Sequence, residues 1–224
     1  MEITSIEAIY KYFNTIGCLT FSTITAEGEP ISRIAHLRGF DAEGIYFMTM
    51  HTKSFYKELK STKKVSICGM SANPNVEHDA NGFPIFSAGY TIRLTGDAEE
   101  ISMEKMKAKN NPIFDFCIKD QEKYPAMVVF CITAGSGDIF DYDFELTSRE
   151  NKLERIYISY NGKEISYRGL NIDADRCISC GVCHKKCSFL AIKKEDEVYA
   201  IDRYRCDECG DCLVHCPVGA IFPR

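Results

Sequence analysis

Eight of the twelve cysteines fall in one pattern written twice. Cys177-Ile-Ser-Cys180-Gly-Val-Cys183-His-Lys-Lys-Cys187 and Cys206-Asp-Glu-Cys209-Gly-Asp-Cys212-Leu-Val-His-Cys216 both read C-x2-C-x2-C-x3-C, and the second is closed by Pro217. Thiolates are soft ligands that suit iron–sulfur clusters. Three cysteines two residues apart can wrap one corner of a [4Fe–4S] cube with a tight loop. The fourth lies one helical step further on and points away from that cube. Zinc commonly takes two C-x2-C pairs set well apart, which leaves a third and a fourth cysteine unexplained, twice over. Disulfides need an oxidising compartment, and no feature of the sequence suggests export.

The two halves are an internal repeat. Arg176–Ile192 overlays Arg205–Ile221 without a gap. On these residues, 172–224 resembles a bacterial two-cluster ferredoxin domain. In that family the fourth cysteine of each motif ligates the other cube. The resemblance therefore implies one [4Fe–4S] cluster on Cys177, Cys180, Cys183 and Cys216, and a second on Cys206, Cys209, Cys212 and Cys187.

The elements that must carry this chemistry come from the rest of a 224-residue chain, long enough for a large domain and a small one. At 45% hydrophobic residues a sizeable core is expected. Three of the remaining cysteines, Cys18, Cys68 and Cys131, sit in apolar runs and read as buried free thiols; Cys117 is the fourth. The net charge of −5 and the lack of a basic block argue against a nucleic-acid partner. The N-terminus has neither a basic nor an apolar region of a signal peptide. The longest apolar run, Ala126 to Ala134, is too short to span a bilayer. A cytoplasmic protein is expected, in a reducing or anaerobic setting that suits oxygen-labile clusters.

Thr4-Ser-Ile-Glu7 is a capping-box pattern, and Ile6, Ile9, Tyr10 and Phe13 follow at helical spacing. From Cys18 the period becomes two. Strands are predicted over Cys18–Thr25, Pro30–Arg38 and Ile45–Met50, an antiparallel meander in which Arg33 neighbours Ile45–Met50. A helix runs from Ser54 to about Ser61 with Phe55 and Leu59 inward. Val65–Met70, Tyr90–Glu99, Ala126–Ile132 and Asp138–Tyr142 read as strands, Ser102–Asn110 as a helix, and 71–88 as a surface loop that sets specificity. Leu153–Tyr167 reads as a hairpin turning at Asn161-Gly162. The fold class is mainly β, α+β, with a barrel or sandwich as the larger part.

Pro30-Ile-Ser-Arg33-Ile-Ala, Tyr46-Phe-Met48-Thr49 with Thr52-Lys53-Ser54, and Tyr90-Thr-Ile-Arg93-Leu-Thr-Gly96 stand in a telling order. Over residues 1–147 they resemble the pyridoxamine 5′-phosphate oxidase-like family of FMN-binding split β-barrels. That resemblance implies FMN held by Arg33, Ile34, Met48, Thr49, Lys53, Ser54 and Arg93, at the interface of a homodimer. The physics is compatible: a phosphate needs cations and helix N-terminal amides, and Lys53-Ser54 opens a helix directly after a strand. Residues 148–171 would then link the barrel to the ferredoxin domain at 172–224.

No Gly-x-Gly-x-x-Gly opens a βαβ unit, and there is no Walker motif. Gly135-Ser-Gly137 has Phe140 where the third glycine would fall. Without a nicotinamide domain, the flavin is expected to receive electrons through the fused clusters. Flavin converts between one-electron carriers and two-electron organic chemistry. The expectation is an oxidoreductase with an external low-potential donor and a small-molecule substrate. Its catalytic residues are unassigned, since no nucleophile–base pair stands out. The rivals are an electron carrier or redox sensor without an organic substrate, and a barrel that holds a deazaflavin or heme.

Overall fold

In the computed structural model of the chain, residues 1–71, 77–82, 84–85, 89–142 and 154–224 are described. A short strand β1 (Glu2–Ile3) precedes helix α1 (Ile6–Ile16). The helix is capped by Ser5, whose hydroxyl accepts from Ala8 N, and not by Thr4 as the capping-box reading had it. Ile9 and Phe13 of α1 are fully buried, as their spacing predicts.

Next come β2 (Leu19–Ile24), β3 (Pro30–Ala35), β4 (Leu37–Asp41) and β5 (Gly44–Met50). The predicted second strand is therefore two, broken at His36. This corrects the placing of Arg33: β3 pairs only with β2 among the described strands, and it is β4 that pairs with β5. Helix α2 (Ser54–Thr62) buries Phe55 and Leu59 and leads to β6 (Lys64–Met70). Within 71–88, the described residues hold a two-stranded pairing of β7 (Glu77–His78) with β8 (Pro84–Ile85). Residues 72–76, 83 and 86–88 of that expected loop, and the boundary expected at 147–148, lie outside the described residues.

Two long strands close the structure. β9 (Gly89–Ile101) is followed by α3 (Met103–Ala108), a 3-10 turn (Pro112–Phe114), α4 (Asp115–Lys123) and β10 (Met127–Tyr142). The two strands predicted at Ala126–Ile132 and Asp138–Tyr142 are thus one, sixteen residues long. Gly135 and Gly137 let it continue, because β9 lies against them: a Cβ on Gly137 would stand 1.9 Å from the Arg93 carbonyl oxygen. The first part of β10 pairs with β5, and β9 runs along its other edge. The ring β2–β6–β9–β10–β5–β4 closes through the bend into β3, which returns to β2. This is a barrel, as expected. Its interior alternates residues such as Phe21, Phe47, Ile67, Leu94 and Phe130, with Phe21 and Phe47 rings 5.1 Å apart.

β11 (Glu154–Tyr160) adds to the far half of β10, and β1 lies parallel to β11. Here the hairpin expectation is corrected. Asn161-Gly162 does turn, with φ of 51° and 76°, but 163–168 forms no return strand. The Asn161 side chain explains the turn's position: Nδ2 lies 2.8 Å from Thr133 O, 3.1 Å from Glu43 O and 3.3 Å from Ala42 O. Thr133 is where the β9–β10 register slips. The amide thus fastens the β4–β5 turn to an irregularity in the barrel wall. Asn161→Ala loses these bonds and a residue tolerant of the left-handed region, for an expected cost of about 2 kcal/mol. Asn161→Gly, which keeps the backbone freedom, should cost less. Midpoints of denaturant unfolding check both.

The remaining residues form a small two-fold unit. β12 (Leu170–Ile172) pairs with β15 (Ile221–Pro223), and β13 (Ile192–Glu195) with β14 (Val198–Ile201). Two short helices, α5 (Val182–Lys186) and α6 (Asp211–Val214), face one another over a core of Leu170, Ile192 and Ile221.

Candidate functional site

Each cysteine loop is shaped by the same left-handed residues. Gly181 (φ 73°) and Gly210 (φ 83°) precede the two helices, and Ser179 (φ 54°) and Glu208 (φ 60°) stand two positions earlier. A run of such turns brings three thiols to one side of the loop. The helix then carries the fourth across to the other half. Cys177, Cys180, Cys183 and Cys216 line one cavity, walled by Ile172, Ala220 and Ile221. Cys187, Cys206, Cys209 and Cys212 line the other, walled by Leu170, Ala191 and Ile201. The two cavities are about 20 Å³ each, so the halves offer matched spaces.

The donor set fits a cubane cluster. Four thiols converge on each space from apolar walls, and backbone amides are aimed at the crossing sulfurs. Ala191 N donates to Cys187 Sγ and Ala220 N to Cys216 Sγ, both at 3.3 Å. Burial pushes the Cys216 thiol up, but N–H groups of Ala220, Val218, Gly219 and Ile221 outweigh it and hold it below its usual value. Cys212, deeper and facing Cys206, Cys187, Cys209 and Cys183, is pushed up to about 11, first by burial and then by those neighbours. Iron held there would supply the positive charge that such a group of thiolates lacks.

The second quartet is the one that faces the barrel. Arg155 N on β11 donates to Tyr204 O at 2.7 Å. Glu208, between Cys206 and Cys209, accepts from Gly169 N at 3.1 Å and from Arg155 Nη1 at 3.4 Å. Tyr157, fully buried on β11, receives Arg168 N at 3.0 Å and packs edge-on against Tyr167 and Tyr204. The two units therefore share a bonded seam.

The seven residues expected to hold FMN are spread over several surfaces of one chain. Arg33 is engaged inside: its Nη2 lies 2.7 Å from Glu58 Oε2 of α2, which is 6% exposed, its Nη1 donates to Thr23, and its guanidinium lies over the Phe55 ring. Thr49 is buried beside Phe47 in sequence, while Met48 turns outward under α3 and α4 with Tyr46 and Val129. Lys53 caps α2 by backbone alone, and Lys53 and Ser54 are exposed with no side-chain partner among the described residues. Ile34, 65% exposed, is on the outer sheet face. Arg93 is on that face too, three strands away by the pairings Ile34–Thr20, Thr20–Cys68 and Cys68–Arg93. It grips Asp138 with Nε at 2.5 Å and Nη2 at 2.9 Å.

The other cysteines divide differently from the expectation. Cys131 is buried and pushed up to about 12, chiefly by burial, and Cys117 is buried and pushed up to about 11 for the same reason. Cys18 and Cys68 are exposed, because strand alternation turns Leu19 and Ile67 inward in their place. Sequence reasoning also missed Asp138, Arg155 and Arg168, the charged cluster between barrel and ferredoxin unit. Asp138 and Arg155 lie on the outer face of β10 and β11, opposite the core residues Ile139 and Ile158, so strand alternation marks them only as solvent-facing positions.

Residues 176–221 match the family described as a 4Fe-4S dicluster domain. The chain is 40% identical over 54 residues to ferredoxin Fdx2 of Sorangium cellulosum, covering 21% of this chain and 54% of that one. It thus spans about half the length of that relative. It is 34% identical over 53 residues to Ferredoxin-1 of Chlorobaculum tepidum, covering 21% of this chain and 86% of that one. Among solved structures, a pyridoxamine 5′-phosphate oxidase-related, FMN-binding protein of Nostoc punctiforme is similar with a TM-score of 0.44 and 14% identity. That alignment covers 70% of this chain and 87% of the other.

Proposed function

Because the chain belongs, through its C-terminal domain, to the ferredoxin family of two-cluster 4Fe-4S proteins, we propose that it is an iron–sulfur flavoprotein oxidoreductase acting on a small substrate. The observation that carries this is the pair of crossed cysteine quartets, one of them seated against the barrel through Glu208, Arg155 and Gly169. The clusters supply one-electron transfer and FMN supplies two-electron chemistry. Cys177, Cys180, Cys183 and Cys216 hold one cluster; Cys206, Cys209, Cys212 and Cys187 hold the other. Lys53 and Ser54 meet the flavin phosphate at the start of α2, where the side chains are exposed and unengaged. Arg33 supports that segment indirectly, by tying β3 to α2 through Glu58.

The protein works as a homodimer. Ile24 and Ile34, on the same outer face of the β2–β3 hairpin, are 45% and 65% exposed, apolar surface that a second copy would cover. Among the described residues no helix is long and apolar enough to cross a membrane, and an external low-potential donor in the cytoplasm is the electron source.

Anaerobic purification with iron, acid-labile sulfide and flavin quantified together tests this assignment. Two cubane clusters and one FMN per chain are expected. Zinc without sulfide overturns the ferredoxin half; no flavin, and no uptake on titration, overturns the other; a heme Soret band replaces it. Lys53→Ala removes a charge-assisted hydrogen bond worth about 1.5–3 kcal/mol. FMN affinity should fall by about 10- to 100-fold, while riboflavin affinity changes much less. Equal losses for both ligands place Lys53 away from the phosphate.

A further inference from the structure

Between the outer face of the barrel sheet and the second cysteine loop lies a cleft of about 670 Å³. Met70 and Phe140 give it an apolar side, Arg93, Asp138 and Arg168 a charged wall, and Arg155, Asp207 and Glu208 its floor towards the ferredoxin unit. A smaller cavity of about 130 Å³ opens off the same charged wall. To Arg93, Asp138 and Arg168 it adds the hydroxyls of Thr95, Ser136 and Ser166. Two guanidiniums face one carboxylate there, so this pocket is positive.

The carboxylate is already shared. Asp138, 4% exposed, is gripped by Arg93, with Arg155 Nη1 at 3.7 Å and Arg168 Nε at 3.8 Å. Glu208 takes up part of Arg155. Arg155, 4% exposed, still has its Nε buried with no hydrogen-bond partner among the described residues. A buried donor left unpaired costs about 1–3 kcal/mol, and arginines at such a site fit a ligand that brings acceptors.

The geometry points to a second ligand site here, for a small organic molecule with an oxyanion head and an apolar body. The head lies between Arg93 and Arg168, among the hydroxyls of Thr95, Ser136 and Ser166. Guanidinium forks match carboxylate and phosphate oxygens, and Asp138 shows from within the chain that this cluster accepts a carboxylate. The body lies along Phe140 and Met70. The site shares no lining residue with the Lys53–Ser54 segment. The ligand lies beside the loop of Cys206 and Cys209, on the barrel side of the second quartet.

The full chain, purified anaerobically with its clusters, is titrated calorimetrically with 2-naphthoate, 2-naphthyl phosphate and uncharged 2-naphthol. One site per chain is expected for an oxyanion probe, and the tighter of the two tells carboxylate from phosphate. No binding is expected for 2-naphthol. Arg168 is about half exposed and touches Asp138 only at 3.8 Å, so Arg168→Gln should fold. It should weaken the oxyanion probe by about tenfold or more. Ser166→Ala, at an exposed position, should weaken it by a smaller factor, and iron content reports whether either variant is intact. No heat with either oxyanion, unchanged affinity in both variants, or equal binding of 2-naphthol overturns the proposal. Absent FMN in the same preparation would sink the flavin assignment without deciding this site.

Discussion

Cys216→Ala should lose the cluster whose other three ligands lie in the opposite half of the repeat. Iron should fall from about eight atoms per chain to about four. The thiol lies in the same cavity as Cys177, Cys180 and Cys183, and it takes the amide of Ala220. Cys187→Ala should remove the other cluster, because Cys187 shares its cavity with Cys206, Cys209 and Cys212. The decisive comparison is spectroscopic. The paramagnetic signal that survives in reduced Cys216→Ala should match the one that survives in Cys177→Ala. It should differ from the survivor in Cys206→Ala. A match to Cys206→Ala instead would mean each half binds its own cluster, and the crossed geometry would be wrong. Retention of all eight irons would mean that another group replaces the thiolate.

Loss of the second quartet should cut off the barrel from a protein donor. In stopped flow with a reduced external ferredoxin, cluster absorbance in the intact chain should bleach before flavin absorbance. The flavin phase should be independent of protein concentration, because the seam through Arg155, Tyr204, Glu208 and Gly169 joins the units in one chain. Covalent linkage of this kind raises effective concentration and gains of about 10²–10⁴ are typical. Cys209→Ala should therefore slow flavin reduction by that donor by about 10²-fold or more. Cys209 is an exposed ligand, so its loss disturbs little packing. Photochemical reduction of the flavin should stay fast, which shows that the barrel is intact. If Cys209→Ala is reduced as fast as the intact chain, or NAD(P)H reduces both equally, electrons do not enter through the clusters. The ferredoxin unit would then be a sensor or a structural part.

The sequence by itself determined the cluster chemistry, because spacing along a short loop is local. C-x2-C-x2-C can bring three thiols to one side of a short loop, and the resemblance to two-cluster ferredoxins implied that Cys187 and Cys216 are exchanged between the halves. Alternation of apolar residues likewise settled that the first part is a β structure, and helical spacing turned Ile9, Phe13, Phe55 and Leu59 of its two helices inward. Only the tertiary structure decided what happens between elements that are far apart in the chain. The bend at His36 gives β3 and β4 different partners, so Arg33 meets Glu58 and not the β5 strand. The glycines of β10 look like a break until β9 is laid beside them, when close approach makes them the reason the strand continues. Cys68 sits in an apolar run yet faces out, since pleat parity is set by the partner strand and not by the run. Asp138, Arg155 and Arg168 come from three separate segments. Their meeting has no local signature, because the attraction that assembles them acts through space.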